Sequence, residues 1–314
     1  MNGRPVFVID EFLRSRMTKQ HTTESYWDRR LSRTAEKLIA GDKAGKKLET
    51  ILKRSCPEVY QQIAENSRYP KMLGLWGESY NFDEHARRRI VHPAIVQLIG
   101  RIAGIEMKGR IVHAGLQHTY AYLFSLIDTP YGFKRERWVE TGLEQGLAVD
   151  EDALGPCPRQ GTLLSNATYL LGRIAFRGRR KELAVLRQHR HLVDEDLLGL
   201  PFRSMKSQKI LERFRAPSES GKHRDVTLHT DLVRLPFDKQ MAQNASTLLA
   251  YSIVDQSKPS AQLITAFTVT AASVQELLRL KTGERVEINV KFNAHVEGID
   301  RNVVLGNRSI SSLK

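Results

Sequence analysis

Residues 286–296 read VEINVKFNAHV, and their alternation decides the fold class. Val286, Ile288, Val290, Phe292, Ala294 and Val296 fall on one side of an extended chain; Glu287, Asn289, Lys291, Asn293, His295 and Glu297 fall on the other. Successive strand side chains point to opposite faces, so a period of two predicts a sheet with one face in the core and one in water. Further back, 227–235, 246–254 and 262–269 are also rich in β-branched and aromatic residues, with 255–260 as a hairpin loop. Ser273 and Glu276 have the spacing of a capping box for one helix ending near Lys281 and Gly283. Residues 301–305 add a short edge strand.

Upstream of the polar stretch APSESGKHR (216–224) the period becomes helical. The longest apolar pattern begins at Pro93, which suits a first helical turn, and continues with Ile95, Val96, Leu98, Ile99, Ile102 and Ile105. Gly100 and Gly104 leave a strip where another backbone could approach. A second helix is predicted over 110–127, with Val112, Leu116, Leu123 and Ile127 on one face, pairing with the first as an antiparallel hairpin. Another helix starts at a Thr22 or Thr23 cap, turns Trp27, Leu31, Ala35 and Leu38 inward, and stops at Gly41. Further helices are predicted over 43–54, 57–66, 136–149, 162–176, 181–190 and 207–215. The aromatic segment 67–82 either plugs a core or lines a pocket, and Thr129, Pro130, Tyr131 and Gly132 make a turn. The expectation is an α+β protein: a helical basic region over 1–215, a linker over 216–224, and a mostly antiparallel sheet carrying one helix over 225–314.

With 314 residues, 41% hydrophobic and 27% charged, the chain has a globular composition. Cys56 and Cys157 stand far apart in no metal or redox spacing, which fits a reducing compartment. The apolar run at 5–9 is too short for a signal peptide, and no run is long enough to span a membrane. A cytoplasmic protein without membrane association is expected.

The net charge is +14. Of 49 Lys and Arg and 35 Asp and Glu, residues 216–314 hold 12 and 10, so the first 215 residues carry +12. Such a balance favours nucleic acid or a small anionic ligand as partner. Candidate contacts to a phosphate backbone are Arg29, Arg30, Arg179 and Arg180. If the helix hairpin forms, the chain returns beside its start and gathers Arg87, Arg88, Arg89, Lys134, Arg135 and Arg137 into an anion site. The competing reading of that six-cation cluster is ordinary solvated surface, and that of the cations at 177–181 is the electrostatic preference for positive charge at a helix C-terminus.

His113 and His118 are five apart, about 140° around a helix, so they do not form a metal-binding pair. Helical spacing groups His113 with Gln117, Tyr120 and Phe124, and His118 with Tyr122 and Ser125. His113, His118 and Tyr122 are therefore the candidate acid–base residues of an enzyme acting on a small anionic substrate, set against the plainer reading of packed, hydrogen-bonded rings. His189, His191, His229 and His295 read as surface. No nucleotide-binding loop, nucleophile elbow, metalloprotease helix, kinase signature or nucleic-acid module is present, and nothing identifies a cofactor. Nucleic-acid association is the first functional expectation, the enzyme the second, and an interaction subunit the third.

Overall fold

The computed structural model describes residues 26–83, 86–107, 109–129, 132–133, 158–203, 205–217, 223–234, 247–269, 271–279, 283, 285–288, 294–297 and 304–313. The fold is α+β, as the change of period implies.

Three helices open the described chain: α1 (Tyr26–Lys43), α2 (Leu48–Ser55) and α3 (Pro57–Asn66). Trp27, Leu31, Ala35 and Leu38 are buried as a stripe on α1, while Arg29, Arg33 and Lys37 stay exposed. The helix passes through Gly41 rather than stopping there, and its Thr22 or Thr23 cap lies outside the described residues. Segment 67–82 does both things expected of it: after the short α4 (Pro70–Leu73), Met72, Leu73, Leu75 and Trp76 plug the core, while Tyr69 and, in β1 (Glu78–Tyr80), Glu78 line surface hollows.

Helix α5 (Pro93–Ala103) forms where the apolar spacing places it, capped by the His92 ring and ended by Gly104 at φ 73°. Ile95, Val96, Leu98 and Ile99 are fully buried, each contributing about 1.5–3 kcal/mol of transfer free energy. Gly100 does allow a close approach, but by its own chain: a Cβ there would stand 2.5 Å from Ile105 O.

The helix expected over 110–127 does not form. Ile111 and Val112, β-branched and suited to a pleated surface, enter β2 (Ile111–His113), which pairs antiparallel with β1. The His113 ring then caps the short α6 (Ala114–Thr119), and a 3-10 turn (Ala121–Phe124) follows. The chain still returns beside the entrance to α5, where Ser125 Oγ donates to Ile90 O at 2.8 Å. A two-residue ladder pairs β3 (Asp128–Thr129) with β4 (Gly132–Phe133), while Pro130 and Tyr131 of the expected turn lie outside the described residues. The predicted helix at 136–149 lies outside the described residues.

The central helix α7 (Leu163–Ala175) is buried at every position except Arg173 and packs against the sheet on one side. Helix α8 (Arg180–Gln188), a 3-10 turn (Arg190–Leu192) and α9 (Glu195–Gly199) follow.

The sheet begins earlier than expected. Residues 207–215, anticipated as a helix, lie in β5 (Ser207–Pro217), which pairs with β6 (His223–Val233) along its whole length. The ends of the 216–224 stretch lie in the two strands, with Ala216 opposite Arg224 and Pro217 opposite His223, and residues 218–222 of the expected linker lie outside the described residues. Lys, Leu, Glu and Arg favour helix, but a ladder on each side of β5 outweighs that propensity. Strands β7 (Thr247–Asp255) and β8 (Gln262–Val269) are followed by α10 (Ala271–Leu278), which starts two residues before Ser273 rather than being capped by it. Then come β9 (Arg285–Ile288), β10 (Ala294–His295) and β11 (Val304–Leu313).

The large sheet has the order β8-β7-β6-β5-β11-β9, so β11 is an interior strand and not an edge. The alternating stretch 286–296 serves two sheets, because β9 pairs with β11 while β10 pairs with β1. Val290 and Phe292 lie outside the described residues. One sheet face joins the helical core through Val233, Leu248, Ala250, Leu263 and Ala266. The other, with Ile210, Phe214, Leu228 and Tyr251, forms a second core together with Leu277 of α10, Ala294 of β10 and the adjacent Val296.

Candidate functional site

Of the expected acid–base residues, His118 and Tyr122 are buried and His113 is engaged at both ring nitrogens. His113 Nδ1 accepts the Leu116 N–H at 3.1 Å, so its Nε2 donates to Leu73 O at 3.0 Å. Both ring nitrogens are engaged, and burial holds the ring neutral by lowering its pKa to about 4. His118 is 1% exposed and packs edge-on against buried Tyr122, with ring centroids 4.8 Å apart. Tyr120 takes the Asn66 side-chain amide at 2.7 Å, and burial pushes its phenol up to about 12. The His113 ring is thus bonded at both nitrogens, while His118 and Tyr122 are buried against each other. Among the described residues no three His, Cys, Asp or Glu could hold a metal ion.

The cations separate into committed and free groups. Arg30 forks onto Glu58 at 2.9 and 3.0 Å, donates to Ser55 O and lies over the Trp27 ring, so its charge serves the helical core. Arg29 is exposed on α1. Arg87, Arg88 and Arg89 are exposed on a tight loop where Asp83 N–H meets Arg88 O at 2.8 Å and Arg87 has φ 50°. Lys134, Arg135 and Arg137 of the expected cluster lie outside the described residues. Arg179 stands 3.7 Å from Glu182, and Arg180 is exposed.

Around Arg180 the structure builds a surface that residue spacing alone did not isolate. On α8 the exposed side chains are Arg180, Lys181, Ala184, Arg187 and Gln188, an arc of about 120°. The only acid of this helix, Glu182, points the other way: its side chain is 5% exposed and accepts the Ala261 N–H at 2.7 Å. Arg190 and His191 extend the exposed surface into the following turn, and α4, with exposed Lys71, packs beside α8. The Tyr69 ring meets His189 and His191 edge-on at 5.6 and 6.3 Å. His189, expected in solvent, is buried and bonds Val185 O at 2.8 Å.

A second feature is a cleft of about 570 Å³ beside the three-stranded sheet β10-β1-β2. Glu78 pairs across the ladders with His295 on one side and His113 on the other, so the three share a face. His295, expected as surface, is partly buried: its Nδ1 stands 3.0 Å from the Tyr80 hydroxyl and its Nε2 3.9 Å from the Glu78 carboxylate. Burial lowers its pKa, with Glu78 opposing and Lys258 assisting. Glu106, Lys258, Gln262 and Glu297 are the other polar side chains of the walls. His229, also read as surface, lies on the sheet face toward the helices, where Lys209 Nζ is 3.4 Å from its Nδ1 and 3.2 Å from Asp231.

Among the described residues no helix is long and apolar enough to cross a membrane. Comparison with protein-family models, curated proteins and solved structures found no match to this chain.

Proposed function

We propose that this protein associates with nucleic acid, holding the phosphate backbone on the exposed face of α8. The observation that supports this most directly is the withdrawal of Glu182 into the contact with Ala261, which leaves Arg180, Lys181, Arg187 and Arg190 exposed with no acidic side chain of α8 on that face. Cations so placed attract a polyanion by displacing its condensed counterions, a sequence-independent interaction that weakens with salt. If each of the four neutralises one phosphate, log K against log salt should have a slope of about −3.6 on duplex DNA. Fluorescence anisotropy with a labelled duplex between about 50 and 200 mM salt tests this. Replacing all four by Ala should remove most of the affinity and slope while the far-ultraviolet spectrum is kept. A variant that binds like the parent overturns the proposal.

A second reading attaches to the cleft, supported by the Tyr80, His295 and Glu78 arrangement. There His295 is the proton-transferring group and the ligand is small. The anionic substrate with an arginine clamp fits poorly, since Glu78, Glu106 and Glu297 outnumber Lys258 on the walls and none of Arg87, Arg88 and Arg89 lines them.

A further inference from the structure

At one end of the cationic face lies a hollow of about 190 Å³, lined by Glu65, Asn66, Tyr69, Gly161, Thr162, Ser165, His191 and Leu192. Its volume is that of about six waters, enough for one planar heterocycle and too small for a stacked pair of bases. We infer that this hollow takes an unpaired nucleobase, so that the protein prefers single strands, with the base against Tyr69 and His191 while the flanking phosphates lie on α8. This rests on the proposed role of α8.

Four observations converge on a base rather than another anion. Two rings are present at the hollow, Tyr69 partly buried and His191 exposed, and base stacking on such rings tolerates any sequence because every base has a π-face. His191 directly follows Arg190, which joins the hollow to the cationic surface. Glu65, bonded to the Tyr69 hydroxyl at 3.0 Å and to Arg68 at 2.9 Å, sets a carboxylate at the wall, which repels phosphate and accepts from base N–H groups. Finally, the start of α7 holds no spare donors for a phosphate. Leu163 N–H goes to Gln62 Oε1, Leu164 N–H to the Tyr120 hydroxyl and Ser165 N–H to Thr162 Oγ1.

The test compares three labelled ligands at one salt concentration: a thymidine oligodeoxynucleotide, an abasic strand with the same number of phosphates, and the matching duplex. The thymidine strand should bind about tenfold more tightly than the abasic strand, the range expected for stacking of one base. His191→Ala, at an exposed position, should bring the two strands together while leaving the salt slope unchanged. Equal affinity of the unaltered protein for thymidine and abasic strands overturns the inference but leaves the role of α8 standing. Tighter binding of the duplex also overturns it. Absence of binding to all three ligands removes both.

Discussion

Glu182 on α8 accepts the main-chain N–H of Ala261 at 2.7 Å, tying a surface helix to the turn that leads into β8. Both groups are buried. The bond secures α8 against the sheet and, by the same geometry, takes the helix's negative charge out of the solvent-facing arc.

Glu182→Ala should therefore destabilise the protein by about 1–3 kcal/mol, because the buried Ala261 N–H loses its acceptor. Glu182→Gln keeps a carbonyl oxygen in place and should cost less. Denaturant midpoints measure both. An alanine variant with the parent midpoint would show that this contact contributes nothing.

Acid should weaken the fold through two histidines. Burial holds His113 at about 4 and His229 at about 3, while an unfolded chain protonates both near 6.5. The stability they contribute is complete above about 6.5 and is lost as pH falls through these depressed values. Asp231 acts oppositely. Burial raises it to about 6 against the lowering effect of Lys209, so its contribution is complete below its unfolded value and is lost as pH rises through about 6. Near pH 5 these three groups together take up about one proton on unfolding, a slope of about 1.4 kcal/mol per pH unit, to which the lowered His295 adds in the same direction. Urea midpoints should fall between about pH 6.5 and 4, and His229→Gln should flatten the fall. A midpoint that stays level or rises toward acid would contradict this account.

In the cleft, the His295 ring should titrate below its ordinary value, since burial outweighs the Glu78 carboxylate 3.9 Å away. Glu78→Gln removes a favourable charge and should lower the midpoint further; Lys258→Gln removes an unfavourable one and should raise it. Ring-carbon chemical shifts followed against pH report both directions. A midpoint unmoved by Glu78→Gln would break the link between the two residues and, with it, the case for proton transfer in this cleft.

What the amino-acid order settled by itself is the local periodicity that a single element expresses. The spacing of Ile95, Leu98 and Ile99 placed α5, Trp27 to Leu38 placed the buried stripe of α1, and the change from helical to alternating order identified the α+β class. Each follows from side-chain direction along one backbone, which needs no distant partner. Partner choice was settled only in three dimensions. Residues 207–215, read as a helix, became part of an interior strand because β6 and β11 satisfy their backbone on both sides. The alternation at 286–296 revealed extended chain but not its division between β11 and β1. Likewise His113 looked chemical until Leu73 and Leu116 took its ring nitrogens, and His295 looked like surface until Tyr80 and Glu78 came beside it. The burial of Glu182, which makes the exposed face of α8 cationic, depends on Ala261, 79 residues along the chain. Hydrogen bonds and desolvation depend on which groups meet in space, and long-range contacts of this kind leave no periodic mark in the chain.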